Sequence, residues 1–167
     1  MILKNLNKNF FINLLIVLSI FLFDRFSKIY VIYLDKKVLG SEIFSSKFLN
    51  IILVWNEGIA FGLLSFGEET FYNSLTILII IIIFIIYIMM IRSSGLKKYA
   101  LIMILGGALG NLYDRIFFKA VPDFIDFHLE DFHWFIFNVA DIFISLGVFF
   151  MILFELIDNN KSKYEKI

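Results

Sequence analysis

Asp123, in VPDFID, and Asp141, in FNVAD, are the residues whose type and position most invite chemistry. Both stand at the edges of long apolar runs, where a carboxylate is costly unless it pairs, meets water or reacts. Two carboxylates held close in a low-dielectric site cannot both ionise easily, so they share a proton. The charged member then activates a water. The protonated member polarises a scissile carbonyl and later protonates the leaving amine. Such a pair titrates as a unit, so the residues alone do not divide the acid and base roles. Asp126, in the same segment as Asp123, is a competing partner. Asn111, Arg115 and Asn138 are suited to orient the carboxylates or to bind a substrate backbone.

Other chemistries have weaker support. The chain has no cysteine, which removes thiol nucleophiles, disulfides and thiolate metal sites. Its two histidines, His128 and His133, lie near Glu130 and Asp131, but their spacing matches no helical HExxH pattern, so no metal is expected. Ser27 and Lys28 suggest a serine–lysine hydrolase, yet adjacent helical residues do not face each other. No glycine-rich loop stands in a phosphate-binding context, and a net charge of zero gives no pointer to nucleic acid.

The elements that carry these residues are membrane helices. Of 167 residues, 60% are hydrophobic, and the mean hydropathy is +0.89. The uncharged run 71–91 is long enough to span a hydrocarbon core of about 30 Å. Similar runs at about 10–34, 99–118 and 137–157 complete a bundle of four transmembrane helices in one domain, residues 1–167. The first run follows Lys4 and Lys8 as a signal peptide would. It is long, contains polar groups and lacks a small-residue cleavage site, so it reads as a helix of the mature protein. Basic residues flank the N-terminus, the turn at Arg92 to Lys98 and the C-terminal tail, which places both termini in the cytoplasm. The opposite, outer side receives 35–70 and an outer loop at 119–136. Lys47 to Trp55 has strand-like composition and predicts a small extracytoplasmic sheet, while Phe127, Phe132, Trp134 and Phe135 suit an aromatic belt. Gly106 and Gly110 have the spacing of close helix packing.

This topology brings polar residues to one outer depth. Asp24 and Lys28 lie one turn apart and can pair. Asn111, Asp114 and Arg115 end the third helix, and Asn138 and Asp141 begin the fourth. Each has a plainer reading alone. Asp114–Arg115 suits an interfacial ion pair, Asn138 suits an N-cap with Asp141 at the third helical position, and Asp123 suits a solvated loop after Pro122. The set at a single depth is what points to a site.

The same residues carry a family resemblance. DRFSK at 24–28, NEGIAFG at 56–62, GGALGNLYDRI at 106–116, VPDFIDF at 121–127 and FNVAD at 137–141 occur in the order found in lipoprotein signal peptidases, the type II signal peptidases of bacteria. The chain resembles that family over nearly its whole length. The resemblance implies an aspartic endopeptidase of the bacterial inner membrane, without metal or cofactor. Its substrates would be diacylglyceryl-modified prolipoproteins, cut just before the lipidated cysteine. It places the catalytic pair on Asp123 and Asp141 rather than Asp126. Asp24, Asn56, Asn111, Asp114, Arg115 and Asn138 fall on positions that support the site or contact substrate. Pro122 and Ser27 depart from the common residues of the motifs without removing a chemical group.

A membrane transporter subunit is the main reading from another class, since intramembrane charges also mark ion paths. A path needs polar groups at several depths, whereas the inner halves of these helices are apolar. A lipid-modifying transferase would need an acyl or phosphate handle that the sequence does not offer. A monomer is expected.

Overall fold

The computed structural model describes residues 2–58, 69–130 and 132–164. Helix α1 runs Ile2–Val38, α2 Glu69–Arg92, α3 Gly95–Phe118 and α4 Val139–Tyr164. Each contains a stretch long and apolar enough to cross a membrane. Many large side chains on these helices, among them Phe23, Phe84 and Phe149, face outward, as expected of a surface solvated by lipid.

Helix α3 is central and packs against the other three. Leu101, Ile102, Ile104 and Leu105 form its buried core face. Two glycines set how closely its neighbours approach. A Cβ at Gly107 would lie 2.5 Å from the Ala140 carbonyl oxygen of α4, and one at Gly110 would lie 2.5 Å from Asp24 Oδ2 of α1. Small residues at these contacts replace the hydrophobic drive that lipid cannot supply.

A four-stranded antiparallel sheet closes one end of the bundle, in the order β1 (Phe44–Ser45), β2 (Leu49–Asn56), β3 (Val121–Leu129), β4 (Phe132–Phe137). The strand expected around 47–55 is β2, but its partner was not foreseen. Segment 119–136, read from the sequence as a loop, folds as the β3–β4 hairpin instead. Lys119, with φ 58°, ends α3 in the left-handed conformation and turns the chain directly into β3. Pro122 falls in β3 opposite Trp55, so the proline did not mark a loop. Helix α4 begins at Val139 rather than Phe137, because Phe137 still pairs with Ile125 in the sheet. Residues 59–62 of NEGIAFG lie outside the described residues, as does Asp131.

Candidate active site

Strand β3 carries Asp123 opposite Val54, and the residue is 3% exposed, so it is not a solvated loop residue. Two amides hold its carboxylate. Asn56 Nδ2, from the end of β2, donates to Oδ2 at 2.9 Å, and Asn138 Nδ2 donates to Oδ1 at 2.6 Å. Asn56 Oδ1 in turn accepts the Gly58 N–H at 2.9 Å, fixing the turn that follows β2. Burial, followed by the charge of Asp141, pushes the Asp123 carboxyl up to about 6, although both amides favour its charged form.

Asn138 is the N-cap of α4, as its type suggested. Its Oδ1 accepts the Asp141 N–H at 3.1 Å, and Asp141 Oδ2 accepts the Asn138 N–H at 3.1 Å. This reciprocal capping box fixes the Asp141 side chain at the third position of the helix. Asn111 Nδ2 of α3 donates to its other oxygen at 2.8 Å. Asn138 therefore contacts both carboxylates, that of Asp123 through its side-chain amide and that of Asp141 through its backbone N–H.

Both carboxylates line a cavity of about 360 Å³ with Asn56, Asn111, Arg115 and Asn138. Its remaining wall is apolar, with Ile79, Ile82, Ile83 and Ile86 of α2 prominent. Arg115 donates from Nη2 to the Gly58 carbonyl oxygen, while Tyr72 O–H donates to the Arg115 carbonyl oxygen at 3.2 Å. Arg115 Nη1 is buried without a partner among the described residues.

Asp24 and Asp114 are absent from the cavity lining and sit behind it in a buried ion cluster. Lys28 Nζ lies 3.0 Å from Asp24 Oδ1, the pair expected one helical turn apart, and 2.7 Å from Asp114 Oδ2. Arg25 Nη1 lies 2.6 Å from Asp114 Oδ1. Asp114 thus pairs from α3 to α1, and not with the adjacent Arg115 as its plainer reading alone would have it. Two contacts link the cluster to the site. Asp24 Oδ1 accepts the Ala140 N–H at 3.0 Å, and Lys28 Nζ donates to Asn111 Oδ1 at 2.8 Å. The parts played by Arg25, Tyr72 and Gly58 were not read from the sequence. Arg25 stands beside Asp24 in DRFSK, which is the one signal that pointed to it.

Asp126 is buried but does not line the cavity; its Oδ2 lies 2.9 Å from His133 Nδ1. The structure thus brings Asp123, and not Asp126, onto the cavity that Asp141 also lines.

Two buried carboxylates facing one largely apolar cavity of a four-helix membrane protein fit the class of membrane-bound aspartic hydrolases. The family model for signal peptidase (SPase) II matches residues 16–157. A lipoprotein signal peptidase of Pelagibacter ubique is 52% identical over 159 residues, covering 95% of this chain and 96% of its own. One from Paraburkholderia phytofirmans is 38% identical, covering 84% and 82%. A solved structure described as a bacterial membrane enzyme superposes with a TM-score of 0.70 at 32% identity, covering 89% of this chain and 90% of its own. The chain belongs to the signal peptidase II family, whose members are aspartic peptidases. It is a multi-pass protein of the bacterial inner membrane.

Proposed function

We propose that this peptidase removes the signal peptide from diacylglyceryl-modified prolipoproteins, with Asp123 and Asp141 as its catalytic pair. The observation that carries the reading is the shared cavity: two buried carboxylates face it, joined through Asn138. One proton resides on the pair. The ionised carboxylate takes a proton from a water as its oxygen attacks the scissile carbonyl carbon. The protonated carboxyl donates a hydrogen bond to the carbonyl oxygen as that oxygen gains charge. Collapse of the tetrahedral intermediate breaks the C–N bond, a proton passes from the pair to the leaving amine, and one water has been consumed. Cleavage falls immediately before the lipidated cysteine.

Asn56, Asn111 and Asn138 hold the two carboxylates in register without adding charge. The buried Nη1 of Arg115, unpartnered among the described residues, is positioned to receive a substrate carbonyl at the cavity wall. Asp24 and Asp114 act behind the site, locking α1, α3 and the start of α4 together. The basic flanks support an orientation with both termini in the cytoplasm and the sheet end outside. A diacylglyceryl group kept in the outer leaflet then presents the scissile bond near the carboxylates, and the isoleucine wall accepts apolar substrate. The enzyme works as a monomer without a catalytic metal.

Purified protein incubated with a diacylated precursor should release the signal peptide, whereas D123N and D141N should insert normally and release none. Substantial turnover by either variant would sink the assignment.

A further inference from the structure

The hairpin that supports the pair holds a second group of side chains for which hydrolysis has no use. Asp126 and His128 are two apart on β3, so they project to the same face of the strand. His133 on β4 is the direct cross-strand partner of His128, and the two rings stack with centroids 5.1 Å apart. The strand period and the His128–His133 pair, with a register shift of the β3–β4 ladder between Asp126 and His128, bring two imidazoles and one carboxylate together, one ligand-capable atom from each lying within 4.8 Å of the others. Among the described residues the carboxylate is Asp126, from the strand itself.

Two atoms of this group are unsatisfied. Asp126 is 4% exposed, and its Oδ1 is buried with no hydrogen-bond partner among the described residues. His128 Nδ1 is buried in the same condition. A buried polar atom without a partner carries a desolvation cost of about 1–3 kcal/mol, and two such atoms in one cluster of metal-ligating side chains call for a shared partner. A cation would satisfy the carboxylate and, unlike a hydrogen-bond donor, would also bind two neutral imidazoles at once.

We propose that Asp126, His128 and His133 form a binding site for a divalent transition ion, with Zn²⁺ as the fitting member. Two nitrogen donors and one carboxylate oxygen suit Zn²⁺, which takes three protein ligands and leaves a fourth position to water. Tetrahedral ligation at about 2.1 Å brings ligand atoms to about 3.4 Å from one another. The half-exposed His133 side chain can adjust to that spacing, its present 2.9 Å contact with Asp126 opening slightly as the metal takes its place. The site stands apart from the proposed catalytic pair. Its place in the fold gives it a role: β3 leads back to Asp123 and β4 leads forward to Asn138, so an ion at the hairpin tip clamps the two strands that present them.

The chain suits a clean test, because it has no cysteine and no histidine beyond these two. Full-length protein carrying a tag without histidine, stripped with chelator in detergent, is titrated with ZnCl₂ against a chromogenic chelator, and separately with Co²⁺ followed by visible absorption. We expect one equivalent of Zn²⁺, a Co²⁺ ligand-field band, and a rise in Tm on adding Zn²⁺. H133A should weaken Zn²⁺ binding by about tenfold or more and abolish both the band and the Tm rise. Unchanged melting of metal-free H133A, with its metal-free cleavage of lipidated precursor also unchanged, would show that the fold and the peptidase site survive. Equal Zn²⁺ affinity in wild type and H133A, or no stoichiometric binding by wild type, would overturn the proposal.

Discussion

Asn138 donates its side-chain amide to Asp123 at 2.6 Å from the position where it caps the helix that carries Asp141. One residue thus starts α4 and ties strand β3 to it. Asn138→Ala removes both functions. Loss of the cap costs about 1 kcal/mol. Loss of the amide, which favours the charged form of Asp123, moves that carboxyl further upward. We expect kcat/KM to fall about 100-fold and its high-pH limb to shift to higher pH. A drop in rate with an unmoved limb would reduce Asn138 to a cap.

Asp123→Asn should be inactive, by roughly 1000-fold or more, yet about as stable as wild type at neutral pH. Burial is the largest cause of the raised Asp123 carboxyl, so the folded state works against its charge. An uncharged amide of the same shape avoids that cost but turns an N–H group toward one of the two donor amides, Asn56 or Asn138, so the two effects offset. Thermal unfolding in detergent at pH 7 to 8 decides it, and a clearly lower Tm for the variant would contradict the account.

The pH dependence has a definite sign. In the folded protein Asp123 keeps its proton up to about 6, whereas its ordinary value is 3.8. A reaction that needs one proton on the pair loses it as pH rises through about 6, so kcat/KM of the free enzyme should decline there. Stability runs the same way. The unfolded carboxyl ionises first, so between 3.8 and about 6 the folded state holds more protons. Stability therefore falls as pH rises across that window and levels off above it. Asp123→Asn should erase this component, as Tm measured across the window would show.

Lys28→Met should be the most damaging change outside the cavity. It leaves Asp24 and Asp114 facing only Arg25, an uncompensated buried charge, at about 3–5 kcal/mol. It also removes the donor that holds Asn111 against Asp141. Adding Asp24→Asn restores neutrality and keeps an acceptor for the Ala140 N–H. Denaturation of the double variant should recover much of the lost stability. No recovery would mean that the cluster is held by geometry rather than charge balance.

The helices were legible because a lipid-facing helix must be apolar on nearly every side, and the 71–91 run announces that without help from its neighbours. Convergence of the polar residues at one end followed from helix direction alone. The hairpin was not legible. PDFID alternates poorly, because Pro122, Asp123, Phe124 and Asp126 are all buried, so the alternation that marks a half-exposed strand is missing. The partners of Asp114 were not legible, because its cations come from α1, 86 and 89 residues away, while Arg115 stands next to it in sequence. The choice between Asp123 and Asp126 was open to the residues alone because it depends on how β3 meets the ends of α3 and α4.

The ion cluster also bears on biogenesis. Asp24, Arg25 and Lys28 emerge first from the ribosome and leave α1 with one surplus positive charge in its apolar stretch. The neutralising carboxylate, Asp114, is made only with α3. Helix α1 is therefore electrically incomplete while α2 is being synthesised, and it should linger beside the insertion machinery until α3 releases it. Crosslinking of nascent chains truncated before and after Asp114 would reveal that wait, and equal release at both lengths would exclude it. A charge kept for anchoring the finished enzyme thus sets the order in which its helices are allowed to leave for the bilayer.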